Sequence, residues 1–175
     1  RKGQFNLYIR PFAGSGTEEL LLESDRDKVP TDWSSDGRYI LFETRGDPKT
    51  QSDVWALSLS GDRKPIPVLQ TPFRELEAVF SPDGRWIAYT SDESGRGEVY
   101  VTPFPGPGRK WQVSASGGIL PRWSGTGREI FFGSREVGTG DRLMATQVSA
   151  QRDTFQVGPT QPLFVMRSQG PGTFF

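Results

Sequence analysis

The sequence contains neither histidine nor cysteine. Without histidine there is no Ser-His-Asp or Cys-His catalytic arrangement, no zincin motif, and no side chain whose ordinary pKa lies near neutrality. Without cysteine there are no disulfides, thiolate nucleophiles, iron–sulfur clusters or Cys-based zinc sites. An excess of one charge is also missing. The 175 residues carry 21 Lys and Arg against 21 Asp and Glu, so the basic surplus that drives phosphate binding is lacking, and nucleic acid is not an expected partner. No apolar run approaches the ~18 residues of a membrane helix, and Arg1-Lys2-Gly3-Gln4-Phe5 has no apolar signal region; no membrane insertion by this chain is expected. The first residue is not Met, and the chain reads as an excised domain or processed fragment. Helical periodicity is scarce as well.

What is present is turns and aromatics. The 21 Gly and 14 Pro punctuate short, β-branched or aromatic clusters, and an aromatic content of 12% argues against disorder. A repeat organises these clusters. Trp33-Ser34-Ser35-Asp36-Gly37-Arg38-Tyr39-Ile40-Leu41-Phe42 returns 47 residues later as Phe80-Ser81-Pro82-Asp83-Gly84-Arg85-Trp86-Ile87-Ala88-Tyr89. After a further 43 residues it returns as Trp123-Ser124-Gly125-Thr126-Gly127-Arg128-Glu129-Ile130-Phe131-Phe132. A second block, Asn6-Leu7-Tyr8-Ile9, returns as Asp53-Val54-Trp55-Ala56, Glu98-Val99-Tyr100-Val101 and Arg142-Leu143-Met144-Ala145. A third, weaker block runs through Leu20–Leu22, Pro67–Leu69, Trp111–Val113 and Pro162–Phe164.

Each copy therefore offers four short strands, and such sheets bury large aromatics only when stacked radially, which predicts an all-β fold of propeller blades. The Asp-Gly pairs at 36–37 and 83–84 suit tight hairpins; Thr126 replaces the Asp in the third copy and loses its side-chain bond. The pattern resembles the TolB-type, WD-repeat-like β-propeller family of bacteria, best in Phe80–Tyr89 with Glu98–Val101. Similar segments often follow a bacterial serine/threonine kinase domain and a membrane span, and the resemblance alone implies an extracytoplasmic or periplasmic setting.

Strand counting predicts three and a half blades: an outer half-blade at 1–28, blades at 29–74, 75–116 and 117–167, and at 168–175 a tail or the start of a next strand. An open arc exposes blade faces, so either further blades belong to a longer protein or two copies close as a two-fold homodimer of seven blades. In that dimer, Asn6–Arg10 meets the partner's Leu163–Val165.

Candidate chemistry is thin. Arg38, Arg85 and Arg128 recur in one register and read as surface pairs with nearby acids. Ser34, Ser81 and Ser124 are turn serines, since no base and no nucleophile elbow accompany them. Asp25 with Asp27, and Asp92-Glu93 with Glu98, lack the spacing of a calcium loop. The Gly-rich stretches at 106–108, 117–118 and 138–140 match no phosphate loop. Tyr8, Trp33, Trp55, Phe80, Trp86, Tyr100 and Trp123 recur at blade period and are expected between blades, while Phe73 and Phe104, in Pro-flanked loops, are expected as exposed anchors.

The expected function is a non-catalytic binding module for protein or peptide, with no cofactor and no metal. Its ligand would sit over the central channel, on loops Ser24–Pro30, Gln70–Glu77 and Ser114–Pro121, using Asp27, Lys28, Phe73, Arg74, Glu75, Ile119 and Arg122. Two alternatives stand beside it: a propeller module of an enzyme, glycoside-active or gating a peptidase, and a purely structural self-assembling half-propeller. Carboxyls of Glu75, Glu77 and Glu93 converging in one pocket would favour the enzyme.

Overall fold

A computed structural model describes residues 5–12, 16–106, 108–136, 140–151 and 154–166. The expected tail at 168–175, Pro107 and Gly138–Thr139 lie outside them. The described residues form fourteen strands and no helix. Strands β3 (Asp27–Trp33), β4 (Tyr39–Asp47), β5 (Gln51–Ser58) and β6 (Pro65–Leu69) pair antiparallel in chain order as a first complete blade. The second blade is β7 (Glu75–Phe80), β8 (Trp86–Ser91), β9 (Glu98–Pro103) and β10 (Trp111–Gln112). The third is β11 (Ile119–Trp123), β12 (Glu129–Glu136), β13 (Gly140–Gln151) and β14 (Thr154–Met166). Ahead of them β1 (Leu7–Ile9) and β2 (Glu19–Leu22) pair as the outer half of a blade. Trp33, Phe80 and Trp123 each close an inner strand, as the repeat predicts.

The hairpin after each inner strand is held by its own side chains. In the first, Ser34 Oγ donates to Asp36 Oδ1 (2.7 Å), Tyr39 N–H returns to Ser34 Oγ (2.9 Å), and Arg38 pairs with Asp36 at 2.6 Å. Ser81, Asp83, Trp86 and Arg85 repeat this at 2.6, 3.0 and 2.8 Å. The third hairpin keeps Glu129 N–H to Ser124 Oγ (3.1 Å) and a hydroxyl–hydroxyl bond between Ser124 and Thr126 (3.2 Å), but Thr126 has no carboxylate to pair with Arg128. These serines are structural, and Gly37 and Gly84 supply the positive φ (73° and 68°) that the turns demand.

Blades stack because strand alternation sends neighbouring residues to opposite seams. On β8, Trp86 and Ala88 enter the core shared with the third blade, beside Val79, Val99, Val101, Ile130, Phe132 and Phe155. Ile87 and Tyr89 enter the core shared with the first, beside Leu41, Val54, Ala78, Phe80 and Tyr100. The core under the half-blade is smaller: Leu7, Leu21, Ile40, Phe42 and Leu57, with Trp55 packed against it and donating to Thr44 Oγ1 (3.2 Å).

Three aromatics depart from expectation. Tyr8 is 40% exposed, because Leu7 and Ile9 take the face of β1 that meets the first blade and Tyr8 takes the other. Trp33 is 49% exposed, since it stands at the end of β3 rather than between sheets. Phe104, expected outside, is 8% exposed. The chain after β9 folds under the seam, where Phe104 meets Tyr39 and Phe80 edge to face at 5.1 and 5.2 Å.

Candidate functional site

Every inner strand has a loop leading into it and a hairpin leading out, so the channel has two differently built mouths. Of the seven residues expected to form one site, six lie at the leading-loop mouth; Arg122 lies near the far end of β11, so the structure does not bring it to the others.

At the leading-loop mouth the side chains divide into exposed and interior. Phe73 and Arg74 are exposed, with Arg74 N–H held by Asp92 Oδ1 (2.9 Å). Ile119 is partly buried, and Asp27 accepts the Phe5 N–H at 2.8 Å. Lys28 and Glu75 are not rim residues. Lys28 is buried, its ammonium donating to Asn6 Oδ1 (3.0 Å) and Arg26 O (2.8 Å), and burial lowers its pKa against the pull of Asp25, Asp27 and Glu23. Glu75 is 1% exposed and accepts the Thr71 hydroxyl. Burial foremost, then the charge of Asp53, pushes its pKa up to about 7. The physical reason is position: Lys28 and Glu75 lie at the start of inner strands, five residues before Trp33 and Phe80, and turn into the seam with the preceding blade.

Acceptors for main-chain N–H groups also cross the seams, and these were not foreseen. Glu77 and Leu120 occupy equivalent bulges in β7 and β11, in the left-handed region at φ 60° and 55°. Such a backbone costs about 1–2 kcal/mol in a residue with a Cβ. Each N–H is received by a carboxylate of the preceding blade: Glu77 N–H by Glu43, and Leu120 N–H by Glu77 at 2.6 Å, with Thr90 Oγ1 steadying Glu77 at 2.7 Å. A charge-assisted bond offsets that cost. The acceptor comes from β4 in one seam and β7 in the next, so no fixed repeat position marks it in the sequence.

At the hairpin mouth, the ends of β3, β7 and β11 surround a cavity of about 300 Å³ lined by Asp32, Trp33, Phe80, Pro82, Arg122 and Trp123 among others. Asp32 is fixed by the N–H groups of Phe80 (2.7 Å) and Trp33 (2.8 Å), and Ser35 Oγ ties to Pro82 O at 2.8 Å. Arg122 is exposed, its guanidinium resting on Pro121 O at 2.7 Å. A rigid carboxylate, an exposed guanidinium and two indoles thus share one small concavity.

The three carboxyls relevant to catalysis do not converge. Glu77 is held in the seam between the second and third blades. Glu75 and Glu93 line a groove of about 530 Å³ beside Tyr89, Arg109 and Lys110, where Glu93 is ion-paired with Lys110. Among the described residues no group of three or more Asp, Glu, His or Cys side chains is placed to hold a metal ion.

No family model matches the chain. Its architecture does match solved structures. A protein of Agrobacterium tumefaciens described as TolB superposes with a TM-score of 0.76 at 21% identity, over 93% of this chain and 57% of that one. This is a TolB-type β-propeller fold. TolB of Acinetobacter baumannii matches with a TM-score of 0.68 at 21% identity, over 87% of this chain and 37% of that one. A puromycin-hydrolyzing peptidase of Mycobacterium tuberculosis matches at 0.59 and 19%, over 86% of this chain and 26% of that one. The chain thus spans 57% and 37% of the lengths of the two TolB structures, and what it shares with them is the fold.

Proposed function

We propose that this propeller is a binding module for a peptide or a protein loop, without chemistry of its own, and that the ligand docks at the hairpin mouth. The observation that carries the reading is Trp33, a large indole half in water at the edge of a concavity that also holds Asp32, Arg122 and Trp123. Exposed Trp and Arg around a small rigid pocket are the residue types that dominate binding energy. Phe73 and Arg74, at the opposite mouth, offer a weaker version, since neither lines the groove of about 530 Å³ that the flanking Thr71 and Glu75 border. The test uses peptides selected on the wild-type protein from a displayed random library. Their affinity should fall at least about tenfold in Trp33→Ala or Arg122→Glu and stay unchanged in Phe73→Ala. The reverse pattern moves the site to the leading loops, and failure to enrich any peptide sinks the reading.

A second reading, self-association, is favoured by the apolar ends. Tyr8 and Leu20 on the half-blade, and Leu163, Phe164 and Val165 on β14, are exposed. Among the described residues β1 and β2 supply the outer half of a blade, and in this reading two copies associate by covering these apolar faces, in the form of the two-fold ring of seven blades if the half-blades complete one another. Light scattering decides: a mass of two chains that persists on dilution supports this reading, and a folded monomer throughout removes it.

A further inference from the structure

The junction between leading loop and inner strand recurs with the same backbone. Lys28 N–H donates to Phe5 O (2.8 Å), Gly118 N–H donates to Gly97 O (2.9 Å), and Arg74 bridges to Ser52. Lys28, Glu75 and Gly118 are therefore equivalent, and they face Asn6, Asp53 and Glu98 across successive seams. The first seam is filled from within. The buried Lys28 ammonium sits among three oxygens: Asn6 Oδ1, Arg26 O and Ser24 O at 3.0, 2.8 and 3.5 Å. In the last seam Gly118 brings no side chain, and Glu98 is satisfied by the Ser114 hydroxyl, Gly117 N–H (2.9 Å) and Arg96 Nε (2.7 Å).

The middle seam has neither arrangement. Asp53 and Glu75, each 1% exposed, both bring a carboxyl to it. Thr71 serves one oxygen of Glu75, leaving Glu75 Oε2 buried with no hydrogen-bond partner; the Thr50 hydroxyl lies near enough to Asp53 to favour its charged form, but neither Thr50 Oγ1 nor Asp53 Oδ1 makes a hydrogen bond of normal geometry. Arg26, whose charge reaches Asp53, is ion-paired with Asp47 at 2.6 Å. Two carboxyls buried across a seam without a counter-charge are unfavourable, and unpartnered buried oxygens add to that.

We propose that this middle seam binds a hard cation, Ca²⁺ in the first instance, through oxygens of Asp53, Glu75 and Thr50, at the place where the first seam carries its own ammonium. The donor set is oxygen alone and spread over a turn, a strand and a loop–strand junction, which suits the adaptable coordination of Ca²⁺ better than the strict octahedron of Mg²⁺ or the softer preferences of transition metals. Thr71 and Glu75 also line the groove of about 530 Å³, which supplies a path for the ion. Bound there, the ion would tie β5 to β7 and steady the loop carrying Phe73.

The experiment titrates chelator-treated protein at pH 7.5 with CaCl₂, following thermal unfolding, and with TbCl₃, following emission sensitised by Tyr89, which lines the same groove. The expected result is an unfolding midpoint that climbs by several degrees at saturating Ca²⁺ and much less with Mg²⁺. Asp53→Asn with Glu75→Lys copies the Asn6–Lys28 seam; this variant should fold without added ion and lose both the Ca²⁺ shift and the Tb³⁺ emission. Should it fail to fold, Glu75→Gln must abolish the emission by itself. Absence of any Ca²⁺ response up to about 10 mM overturns the proposal, as does a response that survives in these variants. A wild-type protein indifferent to Ca²⁺ but stabilised as pH falls through neutrality would show that a proton fills the seam instead.

Discussion

The second blade and the half-blade carry the same motif, Glu98-Val99-Tyr100-Val101 against Asn6-Leu7-Tyr8-Ile9, in opposite surroundings. In the second blade both faces meet a neighbour, and every residue of β8 is buried. In the half-blade, among the described residues, only the face toward the first blade is covered, and Tyr8 is 40% exposed where its equivalent Tyr100 is interior. Repeat position says which way a side chain points along the stack, and the neighbouring blade decides whether that direction is core.

The comparison breaks most visibly at Trp86. Truncation to Ala should cost about 3–5 kcal/mol, read from denaturant midpoints, because the indole packs among Trp111 and Phe155 at 5.5 and 5.2 Å. Tyr8→Ala should cost under about 1 kcal/mol. Equal costs would mean that burial between blades does not explain stability here. Phe104→Ala comes next, with a loss of about 3 kcal/mol, against about 0.5 kcal/mol or less for Phe73→Ala, although both residues sit in Pro-flanked loops. Ser81→Ala removes two bonds of a hairpin and should cost about 1–2 kcal/mol, with Ser124→Ala costing less because the third hairpin has already lost its carboxylate. Neither serine variant should lose affinity for a selected peptide.

The smallest effect concerns acid. Ser34 and the backbone of Arg38 hold Asp36 down to about 2, below its ordinary 3.8. A depressed carboxylate stabilises the fold above its unfolded pKa and loses that contribution as pH falls through its folded one, so the loss falls between about 4 and 2. Asp36→Asn should flatten that limb of the pH–stability curve. Replacing Thr126 with Asp should add such a limb to the third hairpin.

The architecture was legible because the repeat joins two periods, alternation within strands and recurrence between blades, and both are written in residue type. Trp33, Phe80 and Trp123 declared the inner strands, and Asp-Gly declared the hairpins. Side-chain fate was less legible where it depends on what lies opposite. Phe104 looked like Phe73 because Pro flanks both, and only the path of the chain under the seam separates them. Lys28 and Glu75 resemble rim charges because charged residues in loops usually are; their interior position follows from the residue five before the aromatic that closes each inner strand facing the preceding blade. That row alternates Lys, Glu and Gly, so similarity of residue type could not reveal it. The register of Asn6, Asp53 and Glu98 in the second block was the available signal.

The carboxylates that receive main-chain N–H groups impose an order in time. Glu43 precedes the Glu77 N–H it accepts, and Glu77 precedes that of Leu120, so as the chain is synthesised each acceptor is in place before its donor emerges. The equivalent residue of the first complete blade is Pro30, which has no N–H to satisfy and so asks nothing of a predecessor. Growth of the stack from that blade onward therefore never leaves one of these strained amides waiting for a partner not yet made, and a circular permutant that places Glu77 ahead of Glu43 would forfeit that sequence of events.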